Sequence, residues 1–274
     1  MAYDLQFGDC LELMNNIADK SISLIYTDLP YKITDCKWDS GIDLNKLWEQ
    51  YKRLLKPNGV VVLHSVQPFT TEIINSNQKW FKYNYVWIKM QAANFQLAKY
   101  MPLKKHEDVC VFYLKKPTYN PQMWKGEPKA KRIGKEVYQE RKNDMYLSSK
   151  PASLKSVISD EYYPTTILNF KGVARNQSIH RTQKPVELAE FIIKTYTNEG
   201  ETVLDNCVGS GTTIIACENT GRNCIAMEND EEVYAKCRER LSKLLTKEAG
   251  GSVGANNFLK RNCRLIGNVL RHCT

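Results

Sequence analysis

The sequence predicts an α/β fold: a doubly wound, mostly parallel sheet interrupted by a basic insertion. Three observations carry this. Short apolar runs alternate with segments whose apolar residues recur at helical spacing. The runs at 22–27 and 60–63 are continuous rather than alternating, as in strands buried on both faces. The alternation stops near residue 115 and resumes near residue 184, so two stretches of one sheet flank an insertion.

Residues 5–7 form a short predicted strand that ends at Gly8-Asp9, and 11–17 a helix. Strand 22–27 runs into Asp28. Residues 43–55 place apolar side chains at 44, 47, 48, 51, 54 and 55, a helical spacing stopped by Lys56-Pro57-Asn58-Gly59. Residues 59–63, 83–88 and 109–114 are further strands. After the insertion come a helix at 185–196, a strand at 202–205, a glycine-rich turn, a helix at 212–219, a strand at 224–227 and a final helix at 231–245. The expected division is a first half of the main domain at 1–114, an insertion at 115–178, the second half at 179–248 and a tail at 249–274.

Composition bounds the function. The chain has 274 residues, 42% of them hydrophobic, enough for a large core. A net charge of +9 favours a polyanionic partner such as nucleic acid. Nine cysteines are an odd number and contain no C-x-x-C pair, so buried thiols of a cytoplasmic protein are expected rather than disulfides or a zinc site. The first residues lack the charged and apolar regions of a signal peptide, and no apolar run is long enough to span a bilayer. No membrane association is expected.

The insertion carries most of the charge signal. Residues 115–150 hold ten basic side chains against four acids, with Tyr119, Trp124, Tyr138 and Tyr146 interspersed. Taken alone, such a run is as well explained by a solvated face. Residues 249–254 are a Gly-rich linker by composition, and the last twenty residues receive no function.

Two stretches carry chemistry. In the first, a strand ends at Asp205, the turn Asn206-Cys207-Val208-Gly209-Ser210-Gly211 follows, and a helix opens at Thr212. Glycines admit close backbone approach, and a helix start offers free N–H groups. A later strand ends in Glu228, a carboxylate able to accept from both hydroxyls of a ribose. Together they favour a nucleoside-cofactor pocket over the alternative of a tight turn beside a surface glutamate. Neither the phosphate-loop lysine nor the full dinucleotide fingerprint is present, so a cofactor without a pyrophosphate fits better.

The second stretch is Asp28-Leu29-Pro30-Tyr31, expected at the carboxyl edge of the sheet, where open α/β sheets bind ligands. Asp28 and the Leu29 carbonyl can both accept from an exocyclic amine, Tyr31 can stack on its ring, and Pro30 restricts Leu29 to extended backbone. A turn cap with ordinary aromatic packing explains the same residues.

In combination these motifs resemble the amino-methylating DNA methyltransferases that use S-adenosylmethionine, in the circularly permuted group whose catalytic motif precedes the cofactor motif. The catalytic [D/N/S]-P-P-[Y/F/W] corresponds to Asp28-Leu29-Pro30-Tyr31. The cofactor motif D-P-F-x-G-S-G-T-T corresponds to residues 205–213, and H-P-T-Q-K-P to residues 180–185. Gly8-Asp9 also matches, with weaker echoes at His106-Glu107 and Tyr119-Asn120-Pro121-Gln122. The resemblance spans residues 3–245. Leu29 departs from the first proline, Asn206-Cys207 from Pro-Phe, and Arg181 from a proline.

The resemblance implies a seven-stranded, Rossmann-like methyltransferase sheet and direct transfer of a methyl group to the amine of a base flipped out of duplex DNA. Asp28 and the Leu29 carbonyl hold the amine and Tyr31 stacks on the base. Asp205, Gly209, Gly211 and Thr212 lie along the methionine part of the cofactor, with Thr182 and Lys184 at its carboxylate, Glu228 at its ribose and Asp9 near its adenine. No metal is needed. An aspartate at position 28 points to adenine N6, since relatives acting on cytosine N4 more often carry serine there. The basic insertion becomes a target-recognition region, with Lys131, Arg132, Arg141 and Arg175 as DNA contacts and Lys32 at a phosphate. A homodimer is compatible with the family. Cytosine-N4 methylation, RNA-adenine methylation and a decayed DNA-binding module are the alternatives, and a restriction partner is an open expectation.

Overall fold

The computed structural model describes residues 2–31, 41–139, 148–173, 178–179 and 183–249, with side chains of 130–156 and 244–249 outside that description. The chain divides into two compact units, residues 1–120 with 166–274, and residues 121–165.

The larger unit is an eight-stranded sheet in the order β1-β10-β9-β2-β3-β5-β4-β8. Its parallel half comprises β1 (Tyr3–Phe7), β10 (Asn223–Glu228), β9 (Thr202–Asp205), β2 (Ile22–Thr27) and β3 (Leu55–Ser65). Then β5 (Lys104–Phe112) runs antiparallel to both β3 and β4 (Phe81–Ala93). The two-residue β8 (Ile167–Leu168) pairs with β4 in parallel, which makes one strand more than the seven expected. Strand order reverses between β9 and β2. The ends of these two strands, Asp205 and the step from Thr27 to Asp28, therefore flank the crevice where open sheets bind ligands.

Helices cover both faces because neighbouring strand residues point opposite ways. Leu24, Val60, Val62 and Val203 face α4 (Val186–Tyr196) and α5 (Thr212–Thr220). Ile25, Val61, Leu63 and Leu204 face α1 (Cys10–Leu13), α2 (Leu44–Leu54) and α3 (Phe69–Ser76). The helical spacing read at 43–55 has its cause in α2: Leu47, Trp48, Tyr51 and Leu54 are buried, and the Asp43 carboxylate caps the N–H groups of Asn45 and Lys46. The expected stop at Lys56-Pro57-Asn58-Gly59 lies inside β3, because that strand begins at Leu55 directly after the helix. The expected helix at 11–17 is a single turn, α1, continued by a 3-10 turn at Met14–Asn16. Helix α6 (Glu231–Ala249) closes the unit. Among the described residues no helix is long and apolar enough to cross a membrane.

The smaller unit is a two-stranded antiparallel ribbon of β6 (Trp124–Gln139) and β7 (Ser148–Tyr162). At its base the Trp124 and Tyr162 rings stack at 4.6 Å, and Trp124 Nε1 donates to the Tyr163 carbonyl.

Candidate active site

A cleft of about 500 Å³ opens along the carboxyl edge of the parallel strands. Asp9, Asp28, Leu29, Pro30, Tyr31, Lys184, Asp205, Gly209, Thr212 and Glu228 all line it. Gly211 stands behind them as the N-cap of α5. Lys32, Arg141, Arg175 and Thr182 lie outside the described residues, as do the side chains of Lys131 and Arg132.

The glycine-rich loop is held from several sides. Asp205, 3% exposed, accepts from the Thr213 hydroxyl at 2.5 Å and the Cys207 N–H at 3.1 Å, one bond to each oxygen. Burial pushes its carboxyl up to about 6, against the pull of these hydrogen bonds. Both oxygens thus organise the turn. Arg240 from α6 donates to the Ser210 carbonyl at 2.8 Å. Gly209 and Gly211 have φ of 52° and 80°, the left-handed region that glycine enters without penalty. A Cβ on Gly211 would meet Cys237 Sγ at 2.7 Å, whereas one on Gly209 would meet no heavy atom within 4 Å. No side chain caps α5, so its first N–H groups are available beside the cleft.

Glu228 accepts from the Gly209 N–H at 2.9 Å on one oxygen, and from the Asn229 and Asp230 N–H groups at 3.1 and 3.0 Å on the other. A carboxylate has about four acceptor sites, so capacity for a ligand hydroxyl remains. Burial raises its pKa in spite of the three amides. Asp9 is exposed and caps α1 through the Leu11 N–H at 2.7 Å.

At the other end of the cleft, Asp28 leaves β2 half-buried, while the Leu29 side chain is buried in the core. The Tyr31 hydroxyl donates to Asp28 Oδ1, and its ring packs on Phe69 at 5.3 Å. Burial, and next the Asp28 charge, raise the Tyr31 pKa well above its ordinary value, so the phenol remains a donor. Lys184 Nζ binds Asp28 Oδ2 at 2.5 Å and approaches Glu107 at 3.4 Å. Lys89 completes the group through an ion pair with Glu107. Burial would raise the Glu107 carboxyl, but Lys184 and Lys89 overcome it and hold the pKa at about 2. Burial likewise opposes the Lys184 charge, and Asp28 and Glu107 more than restore it. His64, fully buried, hydrogen-bonds Tyr26 at 2.8 Å; burial, then Lys184, lower its pKa to about 4.

Lys89 and His64 escaped the sequence reading, and Glu107 entered it only as an echo. They lie on β4, β3 and β5, remote in sequence from both motifs. Only the pairing of Trp87 with Glu107 and Ser65 with Asp108 brings them together. Glu107 stands in the polar half of β5, between His106 and Asp108, so its own neighbours in sequence gave no sign of a buried acid.

The chain is similar to known proteins in sequence and in fold. The Type II methyltransferase M.HpaI of Haemophilus parainfluenzae is 26% identical over 250 residues, covering 85% of this chain and 72% of that protein. The crystal structure of the M1.HpyAVI–SAM complex aligns with a TM-score of 0.57 at 24% identity, over 87% of this chain and 99% of that one. PvuII DNA methyltransferase, described as cytosine-N4-specific, aligns at 0.59 with 16% identity, over 87% and 86% of the two chains. These two likenesses show a shared fold. Residues 22–239 match the model of the N6/N4-type DNA methylases, and this chain belongs to that DNA methylase family.

Proposed function

We propose that this DNA methylase moves a methyl group from S-adenosylmethionine to adenine N6 in duplex DNA. The observation that carries the choice of base is Asp28: a carboxylate at the cleft mouth, fixed by Tyr31 on one oxygen and Lys184 on the other. The family resemblance associates an acid at this position with adenine.

The cleft suits the cofactor. Open space faces Gly209, the α5 start offers N–H donors, and Glu228 retains acceptor capacity beside them. When bound there, S-adenosylmethionine supplies an electrophilic methyl group. The chain's own residues do the rest by positioning. Asp28 and the Leu29 carbonyl draw on the two N–H bonds of the amine, which turns its lone pair toward the methyl. Tyr31 offers a ring face at the place where the base enters. The residues expected at the ribose and the methionine portion are Glu228, Asp205, Gly209, Gly211 and Thr212, with Asp9 near the adenine. Thr182 and Lys184 are expected at the carboxylate.

The ribbon at 121–165 is read as the target-recognition region, and its basic composition supports phosphate contact. Within the insertion at 115–178, Lys131, Arg132, Arg141 and Arg175 are the proposed DNA contacts, and Lys32, next after Tyr31, is proposed to meet a phosphate.

The test is a transfer assay with methyl-labelled S-adenosylmethionine and unmethylated genomic DNA, digested to nucleosides. Label in N6-methyldeoxyadenosine, lost in Asp28→Ala with cofactor binding kept, is the expected result. Label in N4-methyldeoxycytidine would overturn the base while leaving the fold and the direct transfer in place.

A further inference from the structure

Strands β4 and β5 form an arm whose tip gathers several exposed apolar side chains. They pair from Phe81 with Phe112 to Ile88 with His106; the register then shifts, and one more pair joins Ala93 to Lys104. The tip at 94–103 is a folded turn. Asn94 is left-handed, Phe95–Leu97 form a 3-10 turn, and the Tyr100 and Met101 N–H groups both donate to the Leu97 carbonyl. A tip so tied could have turned its apolar side chains inward. It presents them to solvent instead: Tyr100 is 84% exposed and Phe95 64%, with Met90, Leu97 and Met101 also exposed.

Lysines surround these side chains. Residues 89–106 contain Lys89, Lys99, Lys104 and Lys105 and no acid. The root of the arm belongs to the cleft, since Lys89, Ala93, Asn94 and Lys104 line it. The apolar tip therefore begins at the mouth through which a base must pass.

We propose that this tip, led by Tyr100 and Phe95, enters the DNA base stack at the place vacated by the target base. The inference rests on the reading of the cleft as a site for a flipped-out base. Extrusion leaves a gap whose neighbours have lost stacking, at a cost of about a few kcal/mol. An aromatic or apolar side chain inserted there restores part of it. Exposed rings match the faces of the flanking bases, and lysines without intervening acids match the phosphates on either side. A second copy of this chain would also cover apolar side chains, but Lys99, Lys104 and Lys105 of each tip would then face their counterparts, Lys89 being paired with Glu107.

The experiment first maps the methylated site on genomic DNA with the wild-type enzyme. It then compares two synthetic duplexes carrying that site, one fully paired and one with the target base mispaired. Tyr100→Ala and Phe95→Ala are solvent-facing changes, and unchanged thermal unfolding and S-adenosylmethionine affinity verify that each variant is intact. The expected result is a loss in kcat/KM of about 10- to 100-fold on the paired duplex, the worth of one stacked base. On the mispaired duplex, where extrusion is cheap, the loss shrinks to within about threefold of wild type. With 2-aminopurine as the target base, the wild-type fluorescence rise on binding is weakened in the variants. Equal losses on both duplexes would overturn the wedge and leave an ordinary docking contact. Unchanged kinetics, with or without a shift in sedimentation, would also overturn it. If the wild type methylates no DNA at all, the functional reading fails and takes this inference with it; active wild type with unaffected variants removes the inference alone.

Discussion

Lys184 Nζ stands 2.5 Å from Asp28 Oδ2, and the same ammonium reaches Glu107 at 3.4 Å. One buried cation is thus shared by two carboxylates that arrive from β2 and β5. Removing Lys184 leaves both acids without their shared cation, and among the described residues Lys89 then pairs with Glu107 alone. Removing Asp28 leaves Lys184 still paired with Glu107. The costs should therefore be unequal: Lys184→Met is expected to lose about 3 kcal/mol of stability, the scale of a broken buried pair, and Asp28→Asn clearly less. A double-mutant cycle on chemical denaturation measures the coupling. Equal costs for the two single variants would show that Lys184 is not the shared partner.

The same cluster predicts how acid weakens the fold. His64 has a folded pKa of about 4 against an ordinary 6.5, set by burial and then by Lys184. Between those values the unfolded chain holds a proton that the folded chain refuses, so this contribution to stability is lost as pH falls from 6.5 toward 4. Asp205 acts in the opposite sense: raised from 3.8 to about 6, it stabilises the fold below 3.8 and loses that contribution as pH rises through 6. The two slopes oppose each other in wild type. His64→Gln removes the His64 slope and leaves the Asp205 slope in place. The difference in stability, wild type minus variant, should rise by up to about 3 kcal/mol from pH 4 to pH 6.5. Denaturant midpoints across that range provide the check.

Glu107 governs the next interval. Burial opposes its charge, yet Lys184 and Lys89 bring its pKa down from 4.5 to about 2. A depressed carboxyl contributes stability that is complete above 4.5 and lost as pH falls through 2. Glu107→Gln should be less stable than wild type at neutral pH, because two cations lose a partner. The gap should narrow steadily below pH 4.5, as measured by urea unfolding at several pH values. A gap that stays constant down to pH 2.5 would mean that the side chain acts by shape rather than by charge.

The two loop glycines should fail in different ways. Gly211→Ala places a Cβ at φ 80° and 2.7 Å from Cys237 Sγ, a strain plus a clash worth about 1–3 kcal/mol. Gly209→Ala, at φ 52°, meets open space and carries about 1–2 kcal/mol of backbone strain alone. Its new methyl stands in the cleft, however. Unfolding should therefore report mainly on Gly211→Ala, whereas calorimetric titration with S-adenosylmethionine should show about tenfold or greater weakening in Gly209→Ala.

Local signals were legible where local chemistry determines structure. The continuous runs at 22–27 and 60–63, the helical spacing at 43–55 and the glycine turn after Asp205 each declare themselves within a short window. The cleft residues assembled by pairing do not. Glu107 faces Lys184 only because β5 is inserted antiparallel beside β3, and sequence spacing carries no trace of that choice. The ribbon at 121–165 was hidden for a related reason: a two-stranded ribbon makes no large core, so its strands lack the alternation that marks a half-buried one. Lys184 was expected at the cofactor carboxylate from the family motif, and its partners in this structure are Asp28 and Glu107.

Asn206 shows how the departure from the family's Pro-Phe is accommodated. Its side chain is buried, and its Oδ1 accepts from the Tyr51 hydroxyl at 2.6 Å, tying the glycine-rich loop to α2. Its amide nitrogen lies 3.5 and 3.4 Å from the sulfurs of Cys10 and Cys207. A proline at 206 could offer no such acceptor. Burial, then nearby cysteines and Asp205, raise the Tyr51 pKa well above normal, so the hydroxyl remains a donor at every working pH. Tyr51→Phe strands the Asn206 oxygen in the core and should cost about 1–3 kcal/mol. Asn206→Pro combined with Tyr51→Phe removes both polar partners. If the hydrogen bond is what makes Asn206 necessary, thermal unfolding of the double variant should show a smaller loss than the sum of the two single changes; strict additivity would show that the two positions act independently.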